Sequence, residues 1–334
     1  MAKKIKDTDY LALSAYLRAL ENQLLTKNRM ERVLEAPTDA EAEKLLQECG
    51  YEHLDLSTPE RMDASLLAAR RAMMEDLASQ LPDRRFLELF QLKYDYHHLK
   101  ALLKARLAGV DAQKILMDLG RVSPETLTEA LESGQPDALP PILAAAAAEG
   151  KEILDTTRDA QLMDLALDRW YYRDMAATAD AAHSGFLRGY VRIRIDAVNL
   201  RALVRTLRMG KNADFLRQVL IEGGSIPTEA LAECSAQGGS GLAELYASTP
   251  FAAAAESGAE ALKGGTLTEF EKSCDDAVCA YLSDAKFIPF GEQPLIAYLA
   301  ARESEYTNLR ILLLGRSMGL APEVIRSRLR ESCI

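Results

Sequence analysis

Asp95, His97 and His98 stand together in the stretch Asp-Tyr-His-His-Leu-Lys at residues 95–100. A carboxylate beside two imidazoles is the residue set of a metal site or of a general base. His53 and His183 are the only other histidines, too few and too scattered to build a His-based centre. Cys49, Cys234, Cys274, Cys279 and Cys333 form no Cys-x-x-Cys pair. Cys274 and Cys279 would lie about 140° apart around a helix, poor spacing for shared ligation or a disulfide. The five thiols therefore read as reduced. Cys-Asp-Asp-Ala-Val-Cys at 274–279 has two aspartates but no second acidic motif, and reads as a solvated helix face. Gly-Gly-Ser-Gly at 238–241 lacks the lysine of a phosphate loop and reads as a connector, as does Gly-Gly-Thr at 264–266. No P-loop, Gly-x-Gly-x-x-Gly, His-Glu-x-x-His or Gly-x-Ser-x-Gly pattern occurs. No catalytic, cofactor-binding or metal-binding residue is assigned.

The elements that must carry these residues are helical nearly everywhere. The chain has 334 residues, of which 48% are hydrophobic and 27% charged, enough for a sizeable core in a soluble protein. Leu13, Leu17, Leu20 and Leu24 recur at helical spacing, as do Leu162, Leu165, Ala166 and Arg169. Alternating runs are nearly absent, and no Asn-Gly or Asp-Gly hairpin turn appears. Breakers such as Ala-Pro-Thr, Ser-Thr-Pro, Val-Ser-Pro and Ser-Gly-Gln-Pro-Asp separate the periodic segments. An all-α protein of about fifteen to twenty helices is expected. The net charge of −10 disfavours duplex nucleic acid as a partner. Residues 1–20 contain no apolar core of a secretory signal, and the longest alanine-rich run is too short to span a bilayer. A soluble, cytoplasmic chain is expected, with membrane contact only through a partner.

The Asp-Tyr-His-His-Leu-Lys stretch occurs three times. Residues 95–109, 196–210 and 305–319 superimpose without gaps, at offsets of 101 and 109 residues. An acid recurs as Asp95, Asp196 and Glu305, and an imidazole or amide as His98, Asn199 and Asn308. A leucine follows as Leu99, Leu200 and Leu309, then a cation as Lys100, Arg201 and Arg310. Gly109, Gly210 and Gly319 each close a copy ten residues past its leucine. The leucine starts an i, i+3, i+4 stripe that marks a buried face, and the acid and amide sit one turn apart beside it. The cations suit the helix C-terminus, and the glycine suits the left-handed position that ends a helix. A short amphipathic segment follows each glycine: residues 112–119, 213–220 and 322–329. The repeat, about 100–110 residues long, exceeds the roughly 34–47 residues of helical solenoid units. Three similar helical domains are expected at 1–122, 123–225 and 226–334, in a pseudo-threefold arrangement. On this reading His97 and His98 are no metal site. Val198 and Thr307 replace the first, and His98 stands in for an amide in a packing contact.

The third copy resembles the C-terminal region of the central-stalk C subunit of A/V-type ATPases, whose eukaryotic counterpart is the V-ATPase d subunit. The resemblance rests on Phe290-Gly291, on Glu-Gln-Pro-Leu-Ile-Ala-Tyr-Leu at 292–299, and on Glu303 and Glu305 with Asn308-Leu309-Arg310. Gly319, Pro322 and Ile325 complete it, and the middle copy fits as well. The first copy departs, with His98 and Lys100 in place of asparagine and arginine. The resemblance implies a non-catalytic, nucleotide-free, funnel-like adaptor of three helical domains. It would sit on the cytoplasmic face of the membrane, joining the D and F axle subunits to the proteolipid (c/K) ring, and couple ATP hydrolysis or synthesis to proton or sodium transport. An α-helical regulatory scaffold and an all-α enzyme with a site between domains are the competing classes.

One local charge feature stands out. Residues 186–211 carry seven basic residues against one acid. Arg194, Arg201, Arg205 and Arg208 share a helical face, and Lys93, Lys100, Lys104 and Arg310 take equivalent places in the other copies. Such a face either pairs with acidic neighbouring helices or docks an acidic partner such as the axle tip.

Overall fold

The computed structural model describes residues 5–112, 115–135 and 138–330. Cys333, Pro136 and Asp137 of the sequence reading lie outside these residues. Among the described residues there are sixteen α-helices and no strand. In chain order they are α1 (Leu11–Glu21), α2 (Lys27–Glu35), α3 (Asp39–Gln47), α4 (Pro59–Gln80), α5 (Arg85–Ala108), α6 (Pro124–Ser133), α7 (Pro141–Thr157) and α8 (Ala160–Ala181). There follow α9 (Gly185–Arg208), α10 (Ala213–Val219), α11 (Thr228–Ala236), α12 (Leu242–Tyr246), α13 (Ala252–Leu262), α14 (Leu267–Ser283), α15 (Glu292–Ser317) and α16 (Pro322–Arg326).

The helix starts follow from short polar side chains that satisfy otherwise unpaired N–H groups. Thr26, Thr38, Thr58, Ser123, Ser184 and Asn212 each accept from the N–H three residues on, and Asp159 accepts from Gln161 and Leu162. Prolines at 59, 124, 141 and 322 occupy first turns, where their missing N–H costs nothing. The three copies of the motif lie on α5, α9 and α15, and each helix ends alike. Gly109, Gly210 and Gly319 take φ of 68°, 66° and 68°. The next N–H then reaches back five residues, from Val110 to Ala105, Lys211 to Thr206 and Leu320 to Gly315. That is a Schellman ending, which glycine permits without strain.

The chain forms two compact units. One consists of residues 1–87 and 279–334, so it is built from two distant stretches of sequence. Its core brings Met30, Val33, Leu46, Met62 and Leu66 against Leu309, Leu312, Leu313 and Ile325. The other is the continuous segment 88–278. There Leu99, Leu103, Leu200, Leu203 and Val204 are buried together with Leu127, Leu143, Leu167 and Phe270, while Leu102 is only half-buried.

Three sequence expectations change. On α8 the buried side is Met163, Ala166 and Leu167, while Leu162 is 38% exposed. The expected stripe is one residue out of phase, because Met163 fills the core position that the spacing assigns to Leu162. The short segment after Gly109 forms no α-helix across residues 115–119, where His98 takes the Met117 N–H as a partner. Cys49, Cys234 and Cys274 are free and buried, but Cys279 is disulfide-bonded rather than reduced. The spacing argued only against a bond between Cys274 and Cys279, and Cys274 is free.

Candidate functional site

The charged and polar residues of the motif converge on one recurring arrangement. In each copy the acid is buried and accepts a backbone N–H that lies just before the start of another helix. Asp95 Oδ1 accepts from Val122 N–H at 3.2 Å, Asp196 Oδ1 from Ser225 at 2.6 Å, and Glu305 Oε2 from Leu25 at 2.6 Å. Those N–H groups precede α6, α11 and α2. The third copy thus takes its partner helix from nearly three hundred residues earlier in the chain.

The amide position makes a second backbone link. Asn199 donates to the Ile221 carbonyl at 2.7 Å and accepts its N–H at 2.8 Å. Asn308 does the same with Arg330, at 3.0 and 2.9 Å. Each asparagine therefore pairs like a strand residue with a segment 22 residues on. His98 keeps half of this link, its Nε2 accepting the Met117 N–H at 3.0 Å. Burial, reinforced by His97, holds the His98 imidazole down to about 4, so it is neutral and suited to accept. Among the described residues no group of three or more His, Cys, Asp or Glu side chains is disposed to hold a metal ion.

The cations of the basic face point at acids on an antiparallel helix. Lys100 meets Asp168 at 2.6 Å and Lys104 meets Asp164 at 2.5 Å. Arg201 meets Asp275 at 2.6 Å and Glu271 at 3.0 Å, and Arg205 meets Glu271 at 2.6 Å. Arg310 meets both carboxylate oxygens of Asp63, at 2.8 and 3.0 Å. The remaining members of the face are used differently. Lys93 lies 4.8 Å from the Tyr94 ring centroid and Arg194 lies 5.9 Å from that of Tyr190. Arg208 donates to the carbonyls of Ala261 and Gly265, which end α13. The expectation of a solvated face at 274–279 is corrected for Asp275, whose carboxylate is held by Arg201. We call the motif helix and the helices it holds a clasp.

Two further charge clusters were not singled out by sequence reasoning. In segment 88–278, Arg121 bridges Asp95 and Asp174 at 2.8 and 2.7 Å, and Tyr96 donates to Asp174 at 3.3 Å. In the other unit, Glu305 also accepts from the Tyr51 hydroxyl and pairs with Arg302, whose guanidinium lies 5.0 Å from the Tyr306 ring centroid. A signal for the interhelical pairs was present. Asp164 and Asp168 are four residues apart, like Lys100 and Lys104, and Glu271 and Asp275 match Arg201 and Arg205. Equal spacing with opposite charge, read in reverse order, is the mark of two antiparallel helices zipped over one turn.

Two glycines make room for the buried acids. A Cβ on Gly120 would lie 2.2 Å from Asp95 Oδ1, and one on Gly224 would lie 2.5 Å from Asp196 Oδ1. Neither has a φ in the left-handed region, so the space alone decides. Gly120→Ala and Gly224→Ala are each expected to lose about 1–3 kcal/mol of stability, read from urea denaturation. An unchanged midpoint in both would mean that the carboxylates move aside freely.

The sequence model of the ATP synthase (C/AC39) subunit family matches residues 13–328 of this chain. The C subunit of the V-type sodium ATPase of Enterococcus hirae is 23% identical over 330 residues, covering 97% of this chain and 98% of that protein. The C subunit of the A-type ATP synthase of Methanocaldococcus jannaschii is 26% identical over 347 residues, covering 96% and 86%. The C subunit of the V-type ATP synthase of Thermus thermophilus is 25% identical over 323 residues, covering 93% and 95%.

Proposed function

This chain belongs to the ATP synthase (C/AC39) subunit family, and from that premise we propose that it is a non-catalytic central-stalk subunit of a rotary ATPase. In this reading it joins the D and F axle subunits to the membrane proteolipid ring, so that ATP turnover and ion transport stay coupled. The observation that carries the proposal is the clasp. The charged residues that first invited a chemical reading are spent on holding helices together, as a part that transmits torque requires. Among the described residues no helix is long and apolar enough to cross a membrane, which agrees with contact to the bilayer through partners.

We read the three clasps as three modules: α5–α8, α9–α14, and α15–α16 completed by α2–α4. The domains expected at 1–122, 123–225 and 226–334 mark the same repeat begun at a different point of its cycle. Each module has a motif helix, a buried acid on a backbone N–H, and a cation on an acid across the helix pair.

Reconstitution tests the assignment. The purified chain should bind a D–F complex and, separately, detergent-solubilised proteolipid rings, and binding to neither would sink the proposal. The basic face refines it. Arg201 is mostly buried between two carboxylates, whereas Arg205 is 56% exposed and pairs with one. An exposed ion pair of this kind is worth about 0.2–1 kcal/mol, so Arg205→Glu should leave the fold intact. If the outer rim of this face docks an acidic partner, Arg205→Glu should weaken D–F binding about tenfold with unchanged helicity. Unaltered D–F affinity would confine Lys93, Lys100, Lys104, Arg194, Arg201, Arg205, Arg208 and Arg310 to internal packing.

A further inference from the structure

One corner of segment 88–278 holds cations that the clasps do not use. The C-terminal turns of α5 and α7 border a cavity of about 160 Å³, lined by Leu103, Arg106, Leu107, Lys151, Leu154, Asp155 and Arg158. Lys151, Leu154 and Asp155 recur at i, i+3 and i+4 on one side of α7, and Arg158 directly follows its last residue. Among the described residues, the side chains of Arg106, Lys151 and Arg158 make no hydrogen bond or ion pair. Asp155 supplies one opposing charge, leaving the lining net positive.

The second module shows what this corner does elsewhere. Gly150 of α7 lies under Leu103 and Leu167, as Gly258 of α13 lies under Val204 and Phe270, so α7 and α13 hold equivalent places. In that module Arg208, eight residues past Leu200, fills the corner and donates to Ala261 and Gly265. Eight residues past Leu99 the first module has Leu107 instead. Ile153 stands three residues past Gly150, as Ala261 stands three past Gly258, and its carbonyl accepts from Thr157 Oγ1 at 2.7 Å and Thr156 Oγ1 at 3.2 Å. The threonines satisfy the helix end that an arginine satisfies in the second module, so the three cations around the cavity have no capping work left to do. Arg158 also occupies a left-handed φ of 54°, a conformation that only His183 shares among the described non-glycine residues. A long cation held where glycine is the natural choice points to a use for the side chain.

We propose that this corner binds a carboxylate carried on a short aliphatic stem, the guanidinium forks of Arg106 and Arg158 taking the oxygens and Lys151 adding charge. The leucines beneath suit methylene groups, whereas a bare phosphate would leave them uncovered. That chemistry is offered by a glutamate side chain of a partner polypeptide or by a free short-chain carboxylate. The site stands apart from the rotary assignment and is tested without it.

The full chain, methyl-labelled at leucine, is titrated at fixed ionic strength with glutarate, with N-acetylglutamate α-amide and with inorganic phosphate. Both carboxylates should shift the Leu103, Leu107 and Leu154 methyl signals saturably, with phosphate weaker. Tighter binding of the capped glutamate would assign the site to a protein side chain, and tighter binding of glutarate to a free ligand. Arg158→Gly keeps a backbone that glycine favours and should bind about tenfold more weakly, the loss of one charge-assisted contact. Arg106→Gln is the second variant, with the same expectation. No saturation, equal binding by phosphate, or both variants binding like the parent would overturn the proposal.

Discussion

Glu305→Ala is expected to destabilise the unit formed by residues 1–87 and 279–334 by about 3–5 kcal/mol. The side chain is 5% exposed and serves three partners at once: the Leu25 N–H, the Tyr51 hydroxyl and the Arg302 guanidinium. Truncation leaves a buried N–H without an acceptor and a mostly buried guanidinium without its counter-charge. Both penalties exceed what the intact pair contributes. Tyr51 cannot compensate by ionising, since burial and then Glu305 hold its hydroxyl well above the ordinary phenol range. Glu305→Gln retains an acceptor for Leu25 and should lose less than the alanine variant. Urea denaturation with a separate probe in each unit checks this. A loss under about 1 kcal/mol in Glu305→Ala would show that water replaces the carboxylate without cost.

Arg121→Met should produce a deficit that grows with pH. Asp95 is fully buried, and Asp174 is 3% exposed. Burial raises the Asp95 carboxyl above its ordinary value, and the attraction of Arg121 offsets only part of that rise. The folded chain therefore keeps this proton at a pH where the unfolded chain has lost it. Stability from Asp95 is full below the unfolded carboxyl value, about 3.9, and declines as pH rises through the raised folded value. Without Arg121 the folded value rises further, so the decline continues to higher pH. The variant should lose about 3–5 kcal/mol near neutrality and recover part of that loss on acidification. Denaturation midpoints measured from about pH 4 to about pH 8 decide the matter. A deficit that stays constant with pH would mean that Arg121 acts through packing rather than charge.

The sequence made some of these features legible because their causes are local. A glycine ten residues past a leucine ends a helix through its own backbone, and Gly109, Gly210 and Gly319 do so. Buried Leu99 and Leu103 and the buried stripes at 200–204 and 309–313 follow from period alone. The asparagine that replaces His98 in two copies already argued for a hydrogen-bonding role over a metal-binding one. The cations were visible, and the matching spacings of Asp164/Asp168 and Glu271/Asp275 carried a trace of their partners, but only the fold shows which acids they meet, as Arg310 meets Asp63. Arg121 and Arg302 were invisible for a related reason. They belong to no repeat position, and their weight comes from the burial of the acids they neutralise.

The discontinuous unit sets an order of events at the ribosome. The Leu25 N–H, the carbonyls of Val33, Leu34 and Ala36, and the apolar sides of Val33, Leu46 and Leu66 are covered by α15 and α16, through Glu305, Arg316 and Ile325. Roughly 240 residues separate the early helices from that cover, and at about 5–20 residues per second their synthesis takes about 12–48 s. Throughout that interval the nascent segment exposes half of a core, while residues 88–278 form their unit from one continuous stretch. The early segment is thus expected to need shielding until α15 and α16 emerge. A transcript cut short before α15 yields a polypeptide with one finished body and one sticky, uncovered arm.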